Sequence, residues 1–245
     1  EVMPYPLEWD TSTGEQKKMP ALKVNRIHGV WAYDGYRNPL TRSSSASRVS
    51  MTFATPATKG QRKVYHFDGQ REMAVGIEAL LSPDLYGLEV QLPPVNYRIR
   101  KGKLREHSFD LRITFRDGFR RAVYVRYSDS LAGEKTKEEI KAIFEATPAC
   151  FADDKRVVNG DRYTRAYRDN LLRIYRATEI VDQEADAHVL DRARKGGYWL
   201  MRELLAQCEV TSARAFNAVL RHVGQGVIKA NLHAVICEYS RIWLA

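Results

Sequence analysis

The chain has 245 residues, 44% hydrophobic and 28% charged, a balance that argues against a disordered or fibrous protein. No apolar run approaches the roughly 18 residues of a membrane span, and Cys150, Cys208 and Cys237 are too few and too scattered for a disulfide framework or a structural zinc site. With 39 Lys and Arg against 30 Asp and Glu, the net charge of +9 favours a polyanionic partner, nucleic acid first, and the cysteine usage suggests a reducing, cytoplasmic setting.

Residues 1–47 carry Pro4, Pro6, Pro20 and Pro39 and a small-residue run at 43–47, the pattern of an irregular extension. Trp9, Trp31, Tyr33 and Tyr36 suggest that part of it packs on the rest. Alternation predicts a strand over 48–53, a turn at 59–61, and a second strand over 63–67. Asp68 is a candidate N-cap for a helix over 68–81, whose apolar face carries Met73, Ile77, Leu80 and Leu81; Pro83 ends it.

Extended segments follow at 87–92, 95–100 and 109–115, with turns at 101–103 and at Asp117-Gly118, and 121–127 closes the set. Helical spacing returns over 135–146 through Ile140, Ile143 and Phe144, and 149–152 reads as a short inner strand. Over 162–180, Tyr163, Tyr167, Leu171 and Ile174 cluster on one side of a helix. Arg162, Arg165, Arg168 and Arg176 gather on the other, a solvated face or a phosphate-contacting stripe.

The segment 182–195 reads as a charged linker. Beyond Gly196-Gly197, a helix over 198–207, a second helix capped by Thr211 or Ser212 and running to His222, a turn at 224–226 and a strand-like 227–236 give the order of a winged helix-turn-helix. On the second of these helices Arg214, Asn217 and Arg221 are expected to face outward, and Arg and Asn are side chains that read guanine and adenine edges.

The strand pair 109–126 places Asp110 at the start of one strand and Tyr124-Val125-Arg126 on the next. That is the frame of a metal-dependent nuclease core, where a strand-borne Asp is followed by an acid-x-Lys triplet. From about 48 to 180 the chain resembles the TnsA-like family, the endonuclease subunit of heteromeric transposases. The resemblance rests on landmarks in order: Val64-Tyr65-His66-Phe67 before a helix with an early acid at Glu72, the break Ser82-Pro83-Asp84, the strand end Gln91-Leu92-Pro93, Phe109-Asp110-Leu111, the Asp117-Gly118 turn, the triplet, and Asn170-Leu171-Leu172.

The resemblance implies an α/β fold, a restriction-endonuclease-like mixed sheet flanked by helices over 48–181, with the small winged helix-turn-helix-like domain at 182–245. It implies that Glu72 and Asp110 are metal-binding acids for Mg2+ or Mn2+ and that Arg126 stands where the family has its catalytic Lys. Tyr124 occupies the position of a Gln or Glu. Arg stays protonated and stabilises charge without serving as a base, so the triplet reads as degenerate. His107, close before Asp110, reads as a structural histidine. Three functions remain open: a DNA-binding protein with a drifted nuclease site, acting in transcription regulation or a mobile-element complex; an active endonuclease beside a transposase partner; and an interaction module that binds no DNA.

Overall fold

The computed structural model describes residues 20, 22–40, 47–99, 102–197 and 200–245. Most of the N-terminal extension with Trp9, the end of the 95–100 segment with the start of its turn, and the first two residues of the helix expected from 198 lie outside them.

Strands β1 (Val49–Phe53) and β2 (Lys63–Phe67) form an antiparallel hairpin in which Val49 faces Phe67 and Phe53 faces Lys63. Helix α1 (Gln70–Leu80) follows, and its N-cap is Gly69, which supplies no side-chain bond, rather than Asp68. The first-turn acid Glu72 takes over part of the capping role by accepting the Asp68 N–H at 2.9 Å. A Cβ on Gly76 would stand 2.9 Å from Phe67 Cε1, so α1 rests directly on β2.

The central sheet has four strands in the order β3 (Leu85–Val90), β6 (Leu111–Phe115), β7 (Arg120–Arg126), β8 (Asp154–Asn159). The first two pairings are antiparallel and β7–β8 is parallel, reached through α2 (Ser128–Ala132) and α3 (Glu134–Ala146). The expected inner strand at 149–152 is a turn; the strand lies just beyond, at β8, whose Asp154-Lys155-Arg156 start hides it from a hydrophobic pattern. The segment 95–97 joins a separate small hairpin, β4 (Val95–Tyr97) with β5 (Arg105–His107).

Side-chain alternation along β7 divides two cores. Val123 packs with Phe67, Ile77, Leu88 and Leu111 beneath α1, whereas Ala122 and Tyr124 pack with Phe109 and Ile143 toward α3. The sheet is thus a mixed α/β layer with helices on both faces.

Helix α4 (Arg165–Thr178), capped by Thr164, contributes to two cores: Leu171 to that of α1, and Ile174 and Ala177 to that of the C-terminal unit. The segment expected to be a charged linker is instead helix α5 (Gln183–Lys195). Its charges are sorted by the helix dipole: Asp182 caps it, Glu184 and Asp186 sit in the first turn, and Arg192, Arg194 and Lys195 in the last. Ala185 and Val189, one turn apart, are its fully buried residues, a stripe too thin to register as amphipathic.

Then come α6 (Met201–Ala206), α7 (Ser212–Gly224) capped by Thr211, and the antiparallel pair β9 (Ile228–Ala230) and β10 (Ile242–Leu244), with a bridge from Leu200 to Arg241. The expected strand over 227–236 therefore ends at Ala230. Beyond it the loop crosses to α4, where buried Asn170 donates to the carbonyls of Leu232 (3.0 Å) and Ala234 (2.7 Å) and accepts from Ile236 N (3.1 Å). No helix among the described residues is long and apolar enough to cross a membrane.

Candidate functional site

Glu72 enters from the first turn of α1, and Asp110 from the residue that precedes β6. Asp110 is fixed by the sheet: its N–H donates to Val123 O at 3.0 Å, and its Oδ2 accepts from Val125 N at 2.7 Å. Gln91, immediately after β3, ties the two acids together. Its backbone N–H donates to Asp110 O at 3.0 Å, and its side-chain Nε2 donates to Glu72 Oε2 at 3.2 Å. Gln91 is 2% exposed and has φ 51°, a left-handed backbone that a non-glycine residue adopts at a cost of about 1–2 kcal/mol.

The N-terminal segment completes this network. Arg37 donates to Gln91 Oε1 through Nε (3.0 Å) and Nη2 (2.7 Å) and reaches Asp68 Oδ2 at 2.8 Å, while Tyr36 N donates to Gln91 O at 2.9 Å. Arg48 pairs with the other oxygen of Asp68 at 2.6 Å.

Burial raises the proton affinity of both carboxylates. Burial pushes Glu72 up to about 8, reinforced by the charge of Asp110. Burial likewise pushes Asp110 up to about 6, against the opposing pull of the Val125 N–H and Arg126.

Glu72 opens onto a cleft of about 370 Å³ that Arg48, Asp68, Arg71, Arg126 and Arg168 also line. Arg71 pairs with Asp161 at 2.9 Å and covers the Tyr127 ring at 4.1 Å; Arg168 donates to Tyr163 O at 2.8 Å. Arg126 stacks over the Tyr124 ring at 4.1 Å. Tyr124 is buried, 6% exposed, and packs edge-on against His107 at 4.1 Å. Its hydroxyl is hydrogen-bonded to Arg126 and feels the charge of Asp110. His107 is pushed down to about 4, by burial first and by Arg126 second, and packs between Tyr124 and Phe109 as a neutral ring. Among the described residues, no group of three or more His, Cys, Asp or Glu is placed to hold a metal ion.

The arginines expected to meet DNA divide by their environments. Arg162 lies in the turn before α4 and is exposed, as are Arg165 and Arg176; Arg168 is half-buried at the cleft. On α7, Asn217 is exposed. Arg221 does not face outward: it is 4% exposed, with Nε 2.7 Å from Asp186 Oδ1 and Nη1 3.1 Å from Ile180 O. Arg214 grips Asp182 through two bonds of 2.8 Å and reaches Glu184 at 2.5 Å. Both arginines clamp α7 to the start of α5, which became possible once 182–195 folded as a helix. Arg37, Arg48, Arg71 and Gln91 were absent from the expected site. Gln91 stood out only as a strand-end landmark, Arg37 lies in the irregular extension, and Arg48 was read only as the first residue of a strand.

No protein-family model matches the chain, and no curated protein is significantly similar to it.

Proposed function

We propose that this chain is a DNA-binding protein built on a restriction-endonuclease-like core of the TnsA-like type, with a catalytic centre reduced to two acids. Its role on this reading is transcription regulation or service in the DNA complex of a mobile element. The observation that carries the proposal is the acid pair Glu72 and Asp110, joined through Gln91, with Glu72 opening onto a cleft edged by four arginines. In the central sheet, α1 is followed by β3, β6 and β7, then α2 and α3, then β8 parallel to β7, an order that supports the nuclease-like reading of the core. The order α5, α6, α7 and hairpin, with its bridge from Leu200, supports a winged helix-turn-helix.

The expected behaviour is duplex binding that weakens steeply with salt, read by fluorescence anisotropy between about 50 and 200 mM salt. Affinity that is flat across that range overturns the proposal and leaves the module that binds no DNA.

A second reading, an active Mg2+- or Mn2+-dependent endonuclease acting with a transposase partner, is favoured by the retention of two mutually repelling acids. Glu72, Asp110 and the Val125 carbonyl are oxygen donors of the kind that suit a largely hydrated Mg2+, which commonly uses only one or two carboxylates. When bound, such a cation polarises a phosphate and supplies hydroxide from water. Arg126 would stabilise developing charge but could not take a proton. Nicking of plasmid DNA with Mn2+, abolished in Asp110→Ala, would replace the first reading with this one.

A further inference from the structure

A second cleft of about 610 Å³ opens beside the first, at the junction of the sheet with the C-terminal unit. Its walls are Leu131, Val157 and Val158 on the apolar side and Tyr163, Tyr167 and His233 on the aromatic side. The hydroxyls of Tyr163 and Tyr167 both donate to Glu78, Tyr167 at 2.9 Å, so their rings are pinned at 5.4 Å in an edge-to-face pair. The ring of His233 lies 4.9 Å from Tyr167, brought there by the loop that Asn170 holds against α4. Arg162 stands exposed on the lining and makes no ion pair among the described residues.

The two clefts are neighbours by construction. Arg126 and Asn159 are register partners on the parallel strands β7 and β8; one lines the first cleft and the other the second. Adjacent strands lie about 4.8 Å apart. On α4, successive residues Arg168 and Tyr167 likewise serve one cleft each.

We propose that the second cleft receives an unpaired nucleotide of the DNA strand bound at the first, and this rests on the DNA-binding reading above. Tyr163 is itself buried and braces Tyr167, whose ring, with exposed His233, offers a stacking surface at little entropic cost; the apolar wall excludes water from the base, and a free guanidinium suits the flanking phosphate. A base inside a duplex stack cannot reach such walls, so the site selects an unpaired or extruded base. The volume lies within the roughly 300–1,000 Å³ of small-molecule sites.

The test compares a blunt duplex with the same duplex carrying a short single-stranded tail that contains 2-aminopurine. Wild type binds the tailed DNA about tenfold more tightly and quenches the probe. His233→Ala and Tyr167→Ala each reduce that preference by about fivefold and relieve quenching, with blunt-duplex affinity unchanged, whereas Tyr167→Phe keeps the preference. Arg168→Ala weakens both DNAs alike. Equal affinity of wild type for the two DNAs, or a preference that survives in His233→Ala, overturns the second-cleft proposal while DNA binding stands. Binding to neither DNA overturns both.

Discussion

The side-chain amide of Gln91 donates to Glu72 at 3.2 Å from a backbone held at φ 51°. Orientation of one acid is thus coupled to a conformation that costs the fold stability. Replacement by Gly relieves the backbone and loses the hydrogen bonds, whereas replacement by Ala loses the bonds and keeps the strain. Gln91→Ala is expected to destabilise by about 2–3 kcal/mol, with Gln91→Gly about 1 kcal/mol more stable than Gln91→Ala. Urea denaturation of both variants measures this; equal midpoints would show that the left-handed backbone carries no strain.

The acid pair predicts the pH dependence of stability. A carboxyl whose folded value is raised holds its proton more tightly when folded, so its contribution is fully present below the unfolded value, about 4. That contribution is lost as pH rises through about 6 for Asp110 and about 8 for Glu72. In chelator-treated protein the urea midpoint should fall between pH 5 and 9, and Glu72→Gln should flatten the fall. On the metal-dependent reading, added Mg2+ should restore the midpoint at pH 9 in wild type but not in Asp110→Asn.

Asn170 is 0% exposed and holds three backbone groups of the 231–236 loop. Asn170→Ala strips partners from all three and should cost about 2–4 kcal/mol. Hydrogen exchange should accelerate in 231–236 before it does in β7, and uniform acceleration would argue against a local tether.

Arginines of similar sequence context should behave in opposite ways. Arg221→Ala empties a buried guanidinium site and leaves half-buried Asp186 without its partner, and should cost about 2–3 kcal/mol. Arg162→Ala, on the exposed turn, should fall within about 0.5 kcal/mol of wild type. In DNA titrations Arg168→Ala should reduce the salt slope by about 1, the signature of one lost phosphate contact. An unchanged slope would remove Arg168 from the proposed interface.

Much of the element order was legible because periodicity and turn chemistry agree in this chain: Ile140, Ile143 and Phe144 for α3, and Asp117-Gly118 for the β6–β7 turn, where Gly118 has φ 87°. Three features were not. β8 starts with three charged residues and sits at the sheet edge, so its pattern lacks the apolar run of a buried parallel strand. α5 hides because few of its residues are buried and its charges obey dipole rules instead of forming a stripe. The environment of Arg221 depends on α5, so misreading one helix reversed the expected orientation of a side chain on another. At the site, Glu72 and Asp110 were named from landmarks in order, and the structure joins them through Gln91. The Gln91–Arg37 network depends on contacts across 54 residues, which no local pattern encodes.

Helix α4 has one further consequence. Leu171 is embedded in the core beneath α1, and Ile174 and Ala177, within two further turns of the same rod, in the core of α7. Gly224 at the end of α7 sits so close that a Cβ there would stand 2.8 Å from Ile174 Cγ2. The rod is a splint, not a hinge: neither unit can melt without stripping apolar cover from it, and heat should produce one transition instead of two. A ligand spanning both units would meet a gauge of constant length, so the distance from the outer face of α7 to the acid pair is a property of the helix and not of a linker.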